Sequence, residues 1–148
     1  MIVQTSRFGT VRIDPARVLD FPGGIPGFAG LRRFVLLWAD AREIFWWLQS
    51  VETPEVAFLV TDPALWVPDF EVPLGAELRR ALGLEQSQDA AVLAIVARGG
   101  DRLTANLHSP LVVNPAVSRG VQFLPAESAW SMQHELVRLS EPALAGIA

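Results

Sequence analysis

Polar and apolar residues alternate along Thr10-Val11-Arg12-Ile13-Asp14 and again along Arg102-Leu103-Thr104-Ala105-Asn106-Leu107. That period of two marks a strand with one wet face. Elsewhere the alternation disappears: Phe34 to Trp38, Phe45 to Leu48, Ala57 to Val60 and Ala91 to Ala97 are apolar at consecutive positions. Neighbouring side chains of a strand point to opposite faces, so these strands must be covered on both sides or carry an apolar patch. Closure into a barrel, or a covering helix, meets that demand. Short strands bounded by turn residues predict a mainly β protein, a compact antiparallel β-barrel-like single domain over residues 1–148. One short helix is expected over about 73–83, lying across one opening of the β structure. Leu74, Leu78 and Leu82 share a face there, Pro73 suits a first turn, and Gly83 suits the left-handed position past the end. The tail, residues 140–148, lacks periodicity and is expected to be loosely ordered.

Two connecting stretches carry more information than the strands. In Phe21-Pro-Gly-Gly-Ile-Pro-Gly-Phe28 two prolines fix φ, three glycines permit positive φ, and phenylalanines close both ends. This describes a shaped loop pinned to a core. The second runs from Leu48 to Asp62-Pro63 and reads as a strand, a polar turn at Glu52-Thr53-Pro54, and a return strand stopped by Asp-Pro.

Composition narrows the chemistry. The chain is 51% hydrophobic and 19% charged, which excludes a disordered polypeptide. Its longest apolar run, Ala90 to Ala97, is far short of the ~20 residues that span a bilayer. No secretory signal is visible at Met1-Ile-Val-Gln-Thr-Ser-Arg7. There is no cysteine, hence no disulfide framework. The net charge of −4 argues against direct nucleic-acid binding, and an acidic protein can instead be steered toward a basic partner. Arg32-Arg33 and Arg79-Arg80 read as solvated surface.

Little in the sequence suggests catalysis. His108 and Ser109 are adjacent, but a nucleophile and its base are recognised by spatial geometry. His134-Glu135 has no second histidine at ligand spacing, so no metal is expected. The prolines of the glycine-rich loop remove amide donors that a phosphate cradle would use. No cofactor and no catalytic residue is assigned. Candidate protein-binding residues are Ile25, Pro26 and Phe28 in the stiff loop, Trp46 and Gln49 along the aromatic strand, Glu52 in the turn, and Asn106 and Asn114. Each has a structural alternative. Ile25 and Phe28 can hold a barrel corner, and the strand on which Trp46 faces opposite Phe45 and Trp47 can be buried on both faces instead of displaying one. Gln49 can satisfy turn backbone, and the two asparagines can close turns on their own backbone. Core anchoring is the preferred role of Trp66 and Phe70.

Taken in order, several segments resemble the FliW family of flagellar assembly factors. They are Gly24-Ile-Pro-Gly-Phe28, Phe34 to Leu37, Leu48-Gln-Ser50, Ala57-Phe-Leu-Val-Thr-Asp-Pro63, Asn106-Leu-His-Ser-Pro-Leu-Val-Val-Asn114 and Val121-Gln122. The resemblance spans Phe8 to Leu139. It implies a cytoplasmic, non-enzymatic protein that binds the C-terminal region of newly made flagellin as a chaperone. It also implies binding to the RNA-binding repressor CsrA, relieving its block on flagellin translation. Departures from the family pattern are Ala29 where an acid is frequent, and Phe70 and Trp130 where tyrosine is frequent. His108-Ser109 also replaces a small residue before Pro110. The alternative reading is a small-ligand-binding β-barrel without catalytic activity.

Overall fold

A computed structural model describes residues 1–25 and 27–138. The strands are β1 (Ile2–Thr5), β2 (Gly9–Arg12), β3 (Leu19–Asp20), β4 (Arg33–Trp38), β5 (Phe45–Ser50), β6 (Ala57–Thr61), β7 (Ala91–Gly99), β8 (Arg102–Ala105), β9 (Leu111–Asn114), β10 (Arg119–Gln122) and β11 (His134–Arg138), and α1 is Ala76–Leu82. β1 and β2 form a separate hairpin, and the other strands form one sheet ordered β11-β8-β7-β6-β5-β4-β3-β10-β9. A further pairing of β9 with β7 closes β7-β6-β5-β4-β3-β10-β9 into a ring. All pairs are antiparallel except β3 with β10.

Closure depends on the length of β7. Val96 to Gly99 pair with Ala105 to Arg102 of β8, and Ala91 to Leu93 pair with Val113 to Leu111 of β9. β8 and β9 thus form one interrupted strand along a single edge of β7, with residues 106–110 thrown out between them. At that excursion the sheet forks: β9 continues through β10 into the ring, and β8 carries β11 outward.

The consecutive apolar runs are explained by two layers. Phe34, Leu48, Val60, Leu93, Leu111 and Val113 point into the ring and pack around Phe21 and Ile25. The opposite faces of β5, β6 and β7 contribute Phe45, Leu59, Ala94 and Val96 to a second core, joined by Leu103 and Ala105 of β8 and by Phe70 and Trp66. Trp46 therefore faces inward while Phe45 and Trp47 face the outer core, as strand alternation requires. The segment after β6 covers much of this outer face, so Trp66 and Phe70 anchor the core as expected. The Trp66 indole donates to Thr61 Oγ1 at 3.0 Å, and the Phe70 and Trp130 rings lie 5.1 Å apart. Outside β4, the β1–β2 hairpin buries Val3 and Ile13 against Val35.

The helix is shorter than its apolar pattern suggested and lies elsewhere. It begins at Ala76, with Gly75 as N-cap, so Pro73 precedes it. Gly83 ends it at φ 66, with its N–H turned back to the Arg79 and Arg80 carbonyls. Leu82 packs with Val112 and Leu84, and Leu74 and Leu78 join them. Val112 points out of the ring between inward Leu111 and Val113. The helix consequently seals the outer wall of β9–β10 and leaves the openings free. The expectation for the tail, residues 140–148, lies outside the described residues.

Candidate protein-binding surfaces

The ring has two ends, and the candidate residues divide between them. At one end the loop after β3 folds back as a chain of turns. Gly24 N–H donates to Phe21 O at 2.8 Å, Phe28 N–H to Ile25 O at 2.7 Å, and Leu31 N–H to Phe28 O at 3.0 Å. Gly24 sits at φ 69, and a Cβ there would stand 2.6 Å from Ala29 Cα. Only glycine fits, on both conformational and steric grounds. The loop drives its own apolar residues into the barrel. Phe21 meets Phe34 edge-on at 5.7 Å, and its ring occupies the space a Cβ on Gly120 would need.

Ile25, expected as a contact residue, is 1% exposed and belongs to this plug. Its side chain faces the ring interior and offers a partner nothing. Phe28 is 40% exposed and packs edge-on against Phe58 at 5.4 Å, so one of its faces remains open to solvent. Pro26 lies outside the described residues.

Gln49 and Glu52 lock the adjacent β5–β6 turn. Gln49 is fully buried, and its Nε2 donates to the carbonyls of Ser50, Pro54 and Val56 at 3.0, 3.1 and 3.2 Å. It is a staple for the turn and not a contact residue, because every donor it has is spent internally. Glu52 is exposed, yet its Oε1 accepts the backbone N–H groups of Arg32 and Arg33 at 3.0 and 2.9 Å. Those two donors hold its carboxyl below the usual glutamate value, the Arg33 amide most strongly and the Arg32 amide next. Glu52 thereby ties the plug's exit to the turn.

The asparagines are also framework. Asn106 Oδ1 accepts Ser109 N–H at 3.0 Å in the excursion between β8 and β9. Asn114 is buried; its Nδ2 donates to Leu82 O at 2.9 Å and its Oδ1 accepts Ala116 N–H at 3.1 Å, joining the end of α1 to the β9–β10 turn. His108 Nδ1 lies 2.9 Å from Ser109 Oγ, but that serine is buried and its carbonyl accepts from Gln122 Nε2. The contact closes a turn and presents no accessible nucleophile. Among the described residues no cluster of metal-ligating side chains occurs, and no helix is long and apolar enough to cross a membrane.

The other end is open. A cavity of about 500 Å³ lies there, walled by Leu19, Leu36, Trp46, Leu93 and Val113, with Asp62 the single ionisable side chain in its lining. Trp46 is half-buried in this wall, and Trp38 stacks on it at 4.7 Å while remaining 51% exposed. Sequence reasoning singled out Trp46 but missed Trp38 and the mouth itself. The signal available was the pairing of Trp38 with Trp46 across the β4–β5 hairpin, which puts two indoles on one face.

Comparison with known proteins agrees with this architecture. The family model described as "FliW protein" matches residues 2–136. The flagellar assembly factor FliW of Moorella thermoacetica is 41% identical over 143 residues, covering 95% of this chain and 90% of the relative. That of Syntrophotalea carbinolica is 36% identical over 132 residues, covering 88% and 94%. A crystal structure of the flagellar assembly factor FliW superposes with a TM-score of 0.83 at 30% identity, covering 91% of this chain and 96% of that one. A match over nearly the whole length in both sequence and fold leaves one assignment: the chain belongs to the FliW family of flagellar assembly factors.

Proposed function

We propose that this protein works in the cytoplasm by binding other polypeptides and performs no chemistry of its own. Its partners in this reading are the C-terminal region of flagellin, which it holds as a chaperone, and a CsrA-type RNA-binding repressor, whose block on flagellin translation it relieves. Exchange between the two couples translation to export. The observation that carries the reading is an apolar, tryptophan-rimmed mouth at one end of the barrel. Exposed tryptophans beside a pocket are typical anchors for protein partners. The net charge of −4 favours encounter with a basic RNA-binding protein. Among the sequence candidates, Phe28, Trp46 and Glu52 keep accessible surface for a partner, and Gln49 and Asn114 act through the framework.

Titration calorimetry of the purified protein against flagellin and against CsrA from the same organism tests this. Saturable binding to each, with CsrA displaced when flagellin is added, is the expected result. Absence of heat with both at tens of micromolar, which places any binding free energy weaker than about −6 kcal/mol, rejects it. A small-ligand-binding barrel is the second reading, and the cavity volume favours it. Competition of a hydrophobic dye by a metabolite extract, without any protein partner binding, would select that reading.

A further inference from the structure

We infer that a second cavity, at the fork of the sheet, receives a cationic side chain from a basic partner protein. The inference rests on the polypeptide-binding reading above and assigns this surface to one of its two partners, the basic RNA-binding repressor. The cavity exists because the sheet divides. Where β9 and β10 turn into the ring and β8 carries β11 outward, three segments meet: the excursion 106–110, residues 70–73, and residues 123–130 between β10 and β11. They enclose about 210 Å³. Buried Phe70 and Leu107 line it, and Trp130 packs edge-on to Phe70 at 5.1 Å. Backbone bonds fix the walls. The Leu107 and His108 N–H groups both donate to Ser131 O, at 2.9 and 3.1 Å, and Phe123 N–H donates to Pro110 O at 2.9 Å. The site is ready-made, so a partner has no loop to order on arrival.

Three features select the occupant. First, the volume lies below the ~300–1,000 Å³ of small-molecule sites, which leaves room for one side chain of a larger partner. Second, Glu71 and Glu127 lie in the lining and are exposed, and no arginine lines the cavity. Among the described residues the ion pairs are Arg32–Asp20 and Arg102–Glu135, so both of these carboxylates are unpaired. His108, the other titratable side chain of the lining, has its Nδ1 in contact with Ser109 Oγ at 2.9 Å. Unpaired carboxylates beside aromatic rings repel an anion and attract a cation. A planar guanidinium suits such a slot best, stacking on a ring while bonding a carboxylate. Third, Leu124 and Met132 stand 67% and 62% exposed, Leu124 between the lining residues Phe123 and Pro125 and Met132 just past Trp130. A free amine in the cavity would leave both in water, whereas a protein anchored there would cover them.

Ala129 lines the cavity and is exposed, so Ala129→Trp fills it from the solvent side. Glu71→Gln with Glu127→Gln removes both charges and keeps side-chain size. Glu43→Gln with Glu55→Gln, in the connections on either side of β5, makes the same change of net charge outside the lining. Calorimetry with CsrA and, separately, with flagellin from the same organism reads each variant beside the wild type, and thermal melts establish that they fold. Ala129→Trp is expected to weaken CsrA by about tenfold or more, the effect of blocking an anchor. The cavity pair is expected to weaken it about tenfold and to flatten its salt dependence, and the control pair less than about twofold. Flagellin affinity should be unchanged in all three. CsrA affinity that survives Ala129→Trp overturns the assignment and leaves the polypeptide-binding reading intact. Should Ala129→Trp fail to fold, the exposed glutamate pair decides. Equal weakening by the cavity and control pairs reduces the charge effect to long-range attraction and overturns the assignment. Equal loss of flagellin binding by a folded cavity variant, or a wild type that binds flagellin alone, overturns it as well. A wild type that binds neither partner ends the broader reading and this one with it.

Discussion

The closed and open ends of the barrel use the same strands and finish them differently. At the closed end the connection from β3 to β4 turns its own Phe21 and Ile25 inward, and the turn beside it is stapled by Gln49 and tied by Glu52. At the open end the connections keep their apolar residues on the rim or turn them outward, and the ring interior ends in a cavity of about 500 Å³ rimmed by Trp38 and Trp46. Leu36, Trp46 and Val113 are as apolar as their counterparts below, so strand composition does not account for the contrast. The loops account for it: one supplies a plug and the others do not. The lesson is that cohesion is concentrated where the barrel is filled, leaving the unfilled end available for contact. Substitutions at the two ends should accordingly separate stability from binding.

Phe21→Ala should give the largest effect, a loss of about 3–5 kcal/mol. The ring is fully buried and fills the barrel beside Gly120, 2.5 Å from where a Cβ on that glycine would stand. Chemical denaturation would measure this directly, and a loss below about 1 kcal/mol, the range of surface substitutions, would mean the plug is not structural. Gly24→Ala should follow at about 2–3 kcal/mol from backbone strain, augmented by the approach to Ala29. Asn114→Ala should cost about 1–3 kcal/mol by leaving the Leu82 carbonyl and the Ala116 amide unpaired, and faster hydrogen exchange over α1 would be its signature.

Glu52→Gln should cost less, about 0.5–1 kcal/mol at neutral pH, since the carboxylate is exposed and screened. The sign of its pH dependence follows from the lowered carboxyl value. Glu52 contributes stability fully above the ordinary glutamate value of about 4.3, and that contribution fades as pH falls through its own lower value. Wild type and variant should therefore converge on acidification, and a gap that widens toward low pH would refute the tie. Trp38→Ala should change stability least, within about 1 kcal/mol, because half of the indole is already in solvent. Its consequence should appear in partner affinity instead, which inverts the pattern at the plugged end.

Much of this was legible in the chain. The aromatic-closed glycine and proline loop announced a rigid corner because few backbones satisfy that set of φ angles. Leu48 to Asp62 read correctly as strand, turn and strand, since the break in apolar character at Glu52-Thr53-Pro54 is local. The helix was legible as a face of leucines, yet its start and its resting place were not. Leu74 belongs to the same cluster without being helical, so apolar spacing overstated the length. Ile25, Gln49 and Asn114 were plausible contact residues only because a sequence does not show which loop and strand-end side chains the fold buries.

Composition and local pattern by themselves determined that the chain would build short strands, cover many of them on both faces, turn sharply at Gly24 and carry no thiol chemistry. These follow from residue-level sterics and from the exclusion of apolar surface by water, which act wherever the residue sits. Which end of the ring is filled, which wall the helix seals, and that Trp38 and Trp46 stand together at an opening were decided only by tertiary structure. Each depends on contacts between residues far apart in the chain, whose pairing along β7 settles the register and hence the face that every side chain takes.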